Sequence, residues 1–233
     1  MLASNFQIPA GKEKLACVVN YAEGKPKPSV ISLHGGGLSG MQATGYLAKT
    51  LQRHGKSVIR FDFSGQGVSS GELPASSLKK RLGETLFVLD YFDVTNNISV
   101  IGTSMGGYIA CRLIREIPVE RLALFGPAAY TPRAWDTPFG RGFTEIIREE
   151  KSYLESDIQE ILPDFQGKAL YVTGSEDTII PKEVIEIYRK ALRGCKDYDE
   201  IIIKNCPHPI HTWVKKHPQE RILIEQKVTK LIE

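Results

Sequence analysis

Ser104 stands in a context that could make its hydroxyl a nucleophile. It lies in the segment Gly102-Thr103-Ser104-Met105-Gly106, between the apolar run 98–101 and a second apolar run. A serine on a sharp turn from strand to helix adopts strained backbone angles, and a glycine two positions before and after it lets the turn pack closely. A serine that only caps the helix is the alternative. The flanking apolar runs favour an exposed nucleophile.

Two glycine-rich segments follow other apolar runs. The first is His34-Gly35-Gly36-Gly37, and the second is FDFSGQGVSSG at residues 61–71. Consecutive glycines permit a bend whose backbone N–H groups point into a cleft, where an oxyanion forms during attack on a carbonyl. A phosphate-binding loop is the alternative, but neither segment contains GxxxxGK[ST], or GxGxxG with a later ribose-binding acid. Both segments therefore favour acyl chemistry over nucleotide binding.

A general base has two candidates in one stretch, IIIKNCPHPIHTWVKKHPQ, which holds His208 and His211. Pro207 and Pro209 restrict the backbone of His208, which suits a side chain that must be held within hydrogen-bond reach of its partners. A histidine bonded only to backbone or solvent is the alternative for each of the two. His217 lies before a proline and near lysines, in a pattern typical of the surface of a final helix.

An acidic partner for the histidine is found at Asp177. It follows the apolar run 169–173 by a few residues, so its carboxylate should emerge at the same sheet edge as Ser104. A solvated turn aspartate is the alternative. Glu176 is the neighbour most easily mistaken for it.

The elements that must position these residues follow an alternating pattern. Short β-branched runs alternate with longer helical patterns, which predicts βαβ units around a largely parallel sheet. After an opening hairpin over residues 6–21, strands are predicted at 29–33, 57–61, 98–101, 121–125, 169–173 and 200–203. Helices are predicted at 42–53, 76–92, 106–117, 182–192 and 213–232. Ligands of such sheets bind beyond the carboxyl ends of the strands, where the residues above lie.

Residues 130–163 interrupt this alternation because they contain no clear strand. They are rich in aromatic and charged residues, with Trp135, Phe139, Phe143 and Tyr153 among them. A connection of this length is usually functional, so a small helical lid over the strand ends is predicted. A helical insert without a role is the alternative. The aromatic residues suggest a site for an apolar or aromatic acyl or alcohol group.

Length and composition exclude several other classes of protein. The 233 residues, 42% of them hydrophobic, fit a single α/β domain over residues 1–233. The net charge of +3 comes from 30 basic and 27 acidic residues without a long basic block, which argues against nucleic-acid binding. No export signal or run of 18 apolar residues is found, so a cytoplasmic protein without a membrane span is expected. Oligomeric state is not indicated.

The four cysteines are far apart in the chain and form no CxxC pair, which argues against both a zinc site and a disulfide framework. They are Cys17, Cys111, Cys195 and Cys206. We expect them to be reduced and mostly buried.

Several motifs occur together in an order that resembles the α/β-hydrolase superfamily over nearly the whole chain. They are HGGG at 34–37, DFSGQGVSSG at 62–71, GTSMGG at 102–107, GSEDTIIP at 174–181 and a histidine near the C-terminus. The chain is most similar to small serine esterases and to acylglycerol-lipase-like or cinnamoyl-esterase-like hydrolases. The family's second motif commonly reads D-x-x-G-H-G-x-S, whereas here Gln66 replaces the histidine. This departure weakens assignment to any one subfamily.

The resemblance implies a role for each candidate. Ser104 would be the nucleophile, the N–H groups of Gly36 and Met105 would form the oxyanion hole, and Asp177 would orient the histidine. The family's G-x-x-D-x-x-x-P turn matches GSEDTIIP, with the aspartate at 177. The catalytic histidine of the family usually lies about five residues beyond the last apolar position of the final strand, which points to His208.

His211 stays open as the base, because the stretch TWVKKHP after it resembles the one that often follows the catalytic histidine. The implied activity is hydrolysis of a small carboxylic ester through an acyl-enzyme, with neither a metal nor an organic cofactor, and with a preference for short or medium acyl chains. The alternatives are a thioesterase, an amidase or peptidase, and a non-catalytic small-molecule-binding member of the family.

Overall fold

The computed structural model describes residues 2–233. Eight strands form over these residues: β1 (Leu2–Ala10), β2 (Glu13–Tyr21), β3 (Val30–Leu33), β4 (Val58–Phe61), β5 (Ile98–Thr103), β6 (Val119–Phe125), β7 (Lys168–Gly174) and β8 (Asp197–Ile203). The α-helices are α1 (Gly45–Arg53), α2 (Leu78–Tyr91), α3 (Met105–Leu113), α4 (Arg141–Arg148), α5 (Ile158–Ile161), α6 (Lys182–Leu192), α7 (Ile210–Trp213) and α8 (Pro218–Ile232). Short 3₁₀ turns connect several of them.

All eight strands belong to one sheet, in the order β1-β2-β4-β3-β5-β6-β7-β8. The hairpin β1–β2 is antiparallel and β2 pairs antiparallel with β4, while every pairing from β4 across to β8 is parallel. The predicted α/β class with a mostly parallel sheet is therefore confirmed. The hairpin is longer than predicted, because β1 already begins at Leu2.

Helices cover both faces of the sheet. Successive side chains of β6 belong to two different buried clusters: Leu122 and Leu124 lie in one, and Ala123 and Phe125 in the other. Since neighbouring residues of a strand point to opposite faces, the two clusters lie on opposite sides of the sheet. The first cluster includes side chains of α2, α3 and α6, and the second includes side chains of α1 and α8.

The single C-terminal helix predicted over residues 213–232 is wrong. The chain forms the short α7, then a 3₁₀ turn at Val214–Lys216, and only then α8. Pro218 is the first residue of α8, and the preceding His217 has φ −130° and ψ 80°, outside the helical region. A proline disfavours helical angles in the residue before it but is well suited to the first turn of a new helix.

The segment predicted as a lid contains α4, α5 and 3₁₀ turns, and no strand. Its aromatic residues mostly point into the protein. Phe139 and Phe143 are buried with their rings 4.8 Å apart at an interplanar angle of 71°. The guanidinium carbon of Arg112 lies 3.9 Å from the centroid of the Trp135 ring. Asp157 forms an ion pair with the same guanidinium. These contacts fasten the segment to α3.

Two further properties concern the chain as a whole. The four cysteines are free thiols; three are buried and Cys195 is half-buried. Over residues 2–233, no helix combines the length and the apolar composition that crossing a membrane requires.

Gly174, the last residue of β7, is expected to tolerate no side chain. A Cβ atom there would overlap the carbonyl oxygen of Cys206 in the loop after β8, which is backbone and cannot move aside easily. Gly174→Ala should lower the free energy of unfolding by about 3 kcal/mol. Gly83, exposed within α2 with no atom near its Cβ position, is the matched control. Gly83→Ala should raise the same quantity by about 0.5–1 kcal/mol through helix propensity.

Urea unfolding of the two variants measures both effects. A Gly174→Ala protein as stable as the unmodified chain would show that the end of β7 and the loop after β8 do not depend on this close approach.

Candidate active site

Ser104 occupies the turn between β5 and α3, and its backbone is strained. Its φ of 51° and ψ of −116° are rarely adopted by a residue with a side chain. A Cβ atom on Gly102 would lie 2.7 Å from the carbonyl oxygen of Gly106, and one on Gly106 would overlap the carbonyl oxygen of Leu33. The glycines are therefore needed because β3, β5 and α3 approach one another at backbone distance.

The side chains of Ser104, His208 and Asp177 form one hydrogen-bonded chain. The Ser104 hydroxyl lies 3.0 Å from His208 Nε2, and His208 Nδ1 lies 2.7 Å from an Asp177 carboxylate oxygen. Because an ionised carboxylate can only accept, Nδ1–H donates to Asp177, and Nε2 is left to accept the proton of the serine hydroxyl. The three residues come from turns after β5, β8 and β7, all at the carboxyl edge of the sheet.

Asp177 is held in its ionised form by the donors around it. Its side chain is only 1% exposed, and its other carboxylate oxygen accepts the backbone N–H groups of Ile179 at 2.9 Å and Ile180 at 3.0 Å. Burial raises the pKa of this carboxyl, but the hydrogen bonds from His208 and from the two N–H groups lower it more, so its pKa lies below the ordinary value. Glu176, its neighbour, is exposed.

His211 is three residues from His208 but packs beneath the sheet edge, beside Phe125 of the cluster on the α1 and α8 side. It is buried, with Nδ1 3.0 Å from the Tyr46 hydroxyl and Nε2 2.9 Å from the Thr103 hydroxyl, and its ring centroid lies 4.5 Å from that of Phe125. Both ring nitrogens are therefore engaged away from the Ser104 hydroxyl. The structure brings His208, and not His211, to the serine.

His217, whose sequence pattern was typical of the surface, lies between exposed residues and away from Ser104. It is half-buried, its ring stacks on that of Trp213 with centroids 3.4 Å apart, and its Nδ1 lies 2.8 Å from the Trp213 carbonyl oxygen. Pro218 ends the helical path at this point, so the imidazole folds back over the preceding turn.

Gly36 and Met105 lie side by side next to the serine. A Cβ atom built on Gly36 would lie 3.1 Å from Met105 Cε and 3.9 Å from Met105 Cβ. Met105 is the first residue of α3, so its N–H is one of the groups that a helix leaves free. Within residues 2–233, neither N–H donates a hydrogen bond. Two free N–H groups beside a serine hydroxyl are suited to an oxyanion.

Side chains that the motif analysis did not assign hold the HGGG loop in place. His34 is buried, its Nδ1–H donates to the Gly35 carbonyl at 2.8 Å, and its Nε2 accepts the Phe63 N–H at 3.1 Å. Burial lowers the pKa of His34 to about 4, so the ring is neutral at pH 7. The carboxylate of Asp62 accepts the N–H of Met41 at 2.7 Å and so joins the second glycine-rich segment to the 3₁₀ turn that follows the HGGG loop. A polar residue at the end of a buried strand was the only sequence signal for either role.

A cleft of about 320 Å³ opens at Ser104. Apolar side chains form most of its wall, and charged residues at 148–151 form part of its rim; the apolar residues include Ala128, Ala129, Tyr130, Ile147, Tyr153, Ile179, Ile180 and Val184. Of the four aromatic residues suggested by the sequence, only Tyr153 lines the cleft. Trp135, Phe139 and Phe143 pack inward instead, because burying these large rings against the protein core removes more apolar surface from water.

The buried imidazole of His211 should make the protein less stable in acid. Burial lowers the pKa of His211 to about 3, so the unfolded chain binds a proton near pH 6.5 that the folded protein does not bind. The contribution of His211 to the unfolding free energy is therefore largest above about pH 6.5. It falls by about 1.4 kcal/mol per pH unit as the pH drops toward 3.

Urea unfolding between pH 7 and pH 4.5 measures this slope. His211→Gln removes the titrating group, and the slope should become shallower by about one proton. His54→Gln, the same substitution at an exposed histidine, is the control. Equal slopes in all three proteins would contradict the assignment.

Comparison with known proteins agrees with this architecture. The family model of the S33 serine aminopeptidases, an α/β-hydrolase family, matches residues 24–151. Among solved structures, a CIB-like hydrolase from Thermoplasma acidophilum has a TM-score of 0.72 at 16% identity, over 99% of this chain and 100% of that chain. The esterase EaEST from Exiguobacterium antarcticum has a TM-score of 0.70 at 19% identity, and the match covers 98% of this chain and 99% of that one.

The thioesterase domain from the curacin biosynthetic pathway has a TM-score of 0.69 at 15% identity, and the match covers 100% of this chain and 99% of that domain. A comparison with curated protein sequences finds no match. At these identities the solved structures establish the fold alone. The family model, however, covers more than half of the chain, and the protein therefore belongs to the S33 serine aminopeptidase family of α/β hydrolases.

Proposed function

We propose that the protein is a serine esterase that cleaves small carboxylic esters, with Ser104 as the nucleophile, His208 as the general base and Asp177 as the residue that orients His208. The observation that carries this proposal is the continuous hydrogen-bonded chain from the Ser104 hydroxyl through His208 to Asp177. Membership of a hydrolase family supports the reaction type, and the ester substrate and the residue roles are proposed on the geometry.

In the first half of the reaction, His208 Nε2 takes the proton of the Ser104 hydroxyl while the oxygen attacks the ester carbonyl. The imidazolium that forms is stabilised by the ionised, buried carboxylate of Asp177. His208 then returns the proton to the leaving alcohol, and an acyl group remains on Ser104. In the second half, a water molecule loses a proton to His208 Nε2 while its oxygen attacks the acyl carbonyl. The bond between the acyl carbon and the Ser104 oxygen then breaks, the serine oxygen takes the proton back from His208, and the acid is released.

The negative charge of the tetrahedral intermediate needs donors in place before the reaction. The free N–H groups of Gly36 and Met105 are proposed as these donors, and the N-terminus of α3 adds the partial positive charge of a helix dipole. Such donors act strongly because they are already oriented and do not have to reorganise.

The residue roles make a direct demand on three variants. His208→Ala should lower kcat for p-nitrophenyl acetate at least about a thousandfold, because no other base reaches the serine, and Ser104→Ala should lower it at least as much. His211→Ala removes a buried residue whose two ring nitrogens bond to Tyr46 and Thr103 and not to the serine, and it should mainly lower stability. A fluorophosphonate probe should label the unmodified protein and not Ser104→Ala.

If His211→Ala lost far more activity than His208→Ala, with both proteins folded by circular dichroism, the assignment of the base would be wrong. A folded, unmodified protein that fails to react with the probe would exclude the enzyme and favour a binding protein.

The cleft predicts which acyl chains are preferred. Its volume of about 320 Å³ and its largely apolar wall suit a short or medium acyl chain better than a long one. In a p-nitrophenyl ester series from acetate to palmitate, kcat/KM should therefore be highest at or below medium chain length. A maximum at palmitate would contradict this preference.

The same panel separates the neighbouring reactions. Thioesters and amino-acid p-nitroanilides react through the same acyl-enzyme chemistry. Because the family is named for aminopeptidases, an amide substrate has to be included in the panel. An aminopeptidase needs a carboxylate placed to bind the substrate ammonium, and neither glutamate that lines this cleft is buried and free. Glu149 is paired with Arg133, with the closest charged atoms 2.5 Å apart, and Glu150 is exposed to solvent. We therefore expect kcat/KM for the ester to exceed that for the p-nitroanilide of alanine.

A further inference from the structure

Gln66, the residue at which the chain departs from the usual sequence of its family, lies against the proposed oxyanion loop. We infer that Gln66 is a positioning residue whose side-chain amide orients the Gly36 N–H toward the reacting carbonyl. This inference rests on the proposed function, and it adds to it a residue that touches neither substrate nor nucleophile.

The amide nitrogen of Gln66 gathers three carbonyl groups of the loop. It lies 2.5 Å from the carbonyl oxygen of Gly37, 3.3 Å from that of Ser39 and 3.5 Å from that of Gly35. Carbonyl dipoles that converge on one point repel one another unless a donor lies between them. The Gln66 side chain is only 5% exposed, so bulk water does not supply that donor. The curvature of the loop therefore depends on this NH₂ group.

The direction of the Gly36 N–H follows from the direction of the Gly35 carbonyl. The two groups belong to one trans peptide unit and point in opposite directions. The carbonyl is held by His34 Nδ1 at 2.8 Å and, more weakly, by Gln66 at 3.5 Å. Drawing the carbonyl toward these donors turns the N–H away from them. Rotation of this peptide would remove one of the two proposed oxyanion donors.

The other end of the amide shows which group of Gln66 is used. Its Oε1 is buried and accepts no hydrogen bond within residues 2–233. Reversing the amide would place this oxygen against three carbonyl oxygens. Repulsion between the partial negative charges of these oxygens therefore determines that the nitrogen faces the loop. A buried acceptor without a partner costs stability that an apolar side chain of the same size would not lose. The amide is explained by what its NH₂ group holds.

The backbone under Gln66 is equally constrained. Gly65 and Gly67 on either side have φ values of 73° and 55°, and a Cβ atom on Gly67 would overlap the carboxylate of Asp62. The Gln66 N–H donates to the Phe63 carbonyl at 3.0 Å. The turn therefore presents the side chain to the loop from a rigid base, as a positioning role requires.

Gln66→Leu removes the donor and keeps the size of the side chain. We expect kcat for p-nitrophenyl acetate to fall about tenfold to a hundredfold with KM nearly unchanged, because loss of one oriented donor is felt mainly in the transition state. Labelling by the fluorophosphonate probe should slow in parallel. Tm should fall as well, because three carbonyl oxygens lose a buried donor, so kcat is measured at a temperature well below the Tm of the variant.

Gln66→Glu adds a readout that a purely structural role would not move. An ionised carboxylate repels the three carbonyl oxygens, whereas a protonated one can donate its O–H to them, and burial favours the protonated form. The ratio of kcat for Gln66→Glu to kcat for the unmodified protein should therefore rise at least tenfold as the pH is lowered from 8.5 to 5.5. The neighbouring titratable side chains His34 and Asp62, and His208 of the site, are present in both proteins.

Ser69→Ala is the matched control from the same turn. The Ser69 hydroxyl donates to the Asp62 carbonyl at 2.5 Å and accepts the Ala16 N–H at 2.8 Å, away from the HGGG loop. This variant should lower Tm while kcat stays within about twofold.

The outcomes separate the inference from the proposed function. Unchanged kcat in Gln66→Leu, or a pH-independent ratio for Gln66→Glu, in an otherwise active protein overturns the role of Gln66 alone. If Gln66→Leu does not fold, the Gln66→Glu ratio decides. An unmodified protein that neither hydrolyses the ester nor reacts with the probe overturns the proposed function, and the inference with it.

Discussion

The left-handed backbone at Ser104 is the constraint on which the site depends. A serine in this conformation costs about 1–3 kcal/mol, so surrounding packing must hold it there. Gly102 and Gly106 allow β5, α3 and the end of β3 to approach at backbone distance, and the Ser104 N–H donates to the Phe125 carbonyl at 2.9 Å. The strain therefore rests on the parallel sheet itself, which raises the hydroxyl above its carboxyl edge and leaves the first N–H groups of α3 free.

A second layer of polar side chains makes the glycine-rich loops rigid. Glycine permits the bends that the chemistry needs but resists neither opening nor rotation, so each bend requires an external support. His34 and Gln66 supply that support by bonding to backbone groups of the opposite loop, and Asp62 does so by accepting the N–H of Met41, a few residues after the HGGG loop. Because these contacts are buried, they are shielded from competition with water and can hold peptide groups in a single orientation.

The two histidines of the loop after β8 show how local geometry divides one sequence between two tasks. His208 reaches over the sheet edge to Ser104, while His211, in α7, turns under the edge to Thr103 and Tyr46. Because Thr103 and Ser104 are adjacent, the turn that carries Ser104 is contacted by both histidines of one short segment. Burial keeps the pKa of His211 near 3, so this support carries no charge next to the site at neutral pH.

The sequence by itself determined the class of the fold and the approximate places of its strands, because apolar periodicity is a local property of the chain, and its motifs resembled those of the α/β-hydrolase superfamily. It also indicated Ser104, Asp177 and Gly36 as candidates, since each follows a buried strand. Tertiary structure decided three other matters. It separated His208 from His211 by placing them on opposite sides of the sheet edge, it turned Trp135, Phe139 and Phe143 away from the cleft, and it brought Gln66 to the carbonyls of the HGGG loop. All three outcomes depend on which distant segments of the chain meet. Where they meet, packing and hydrogen bonding between segments set the direction of a side chain, and its neighbours in sequence do not.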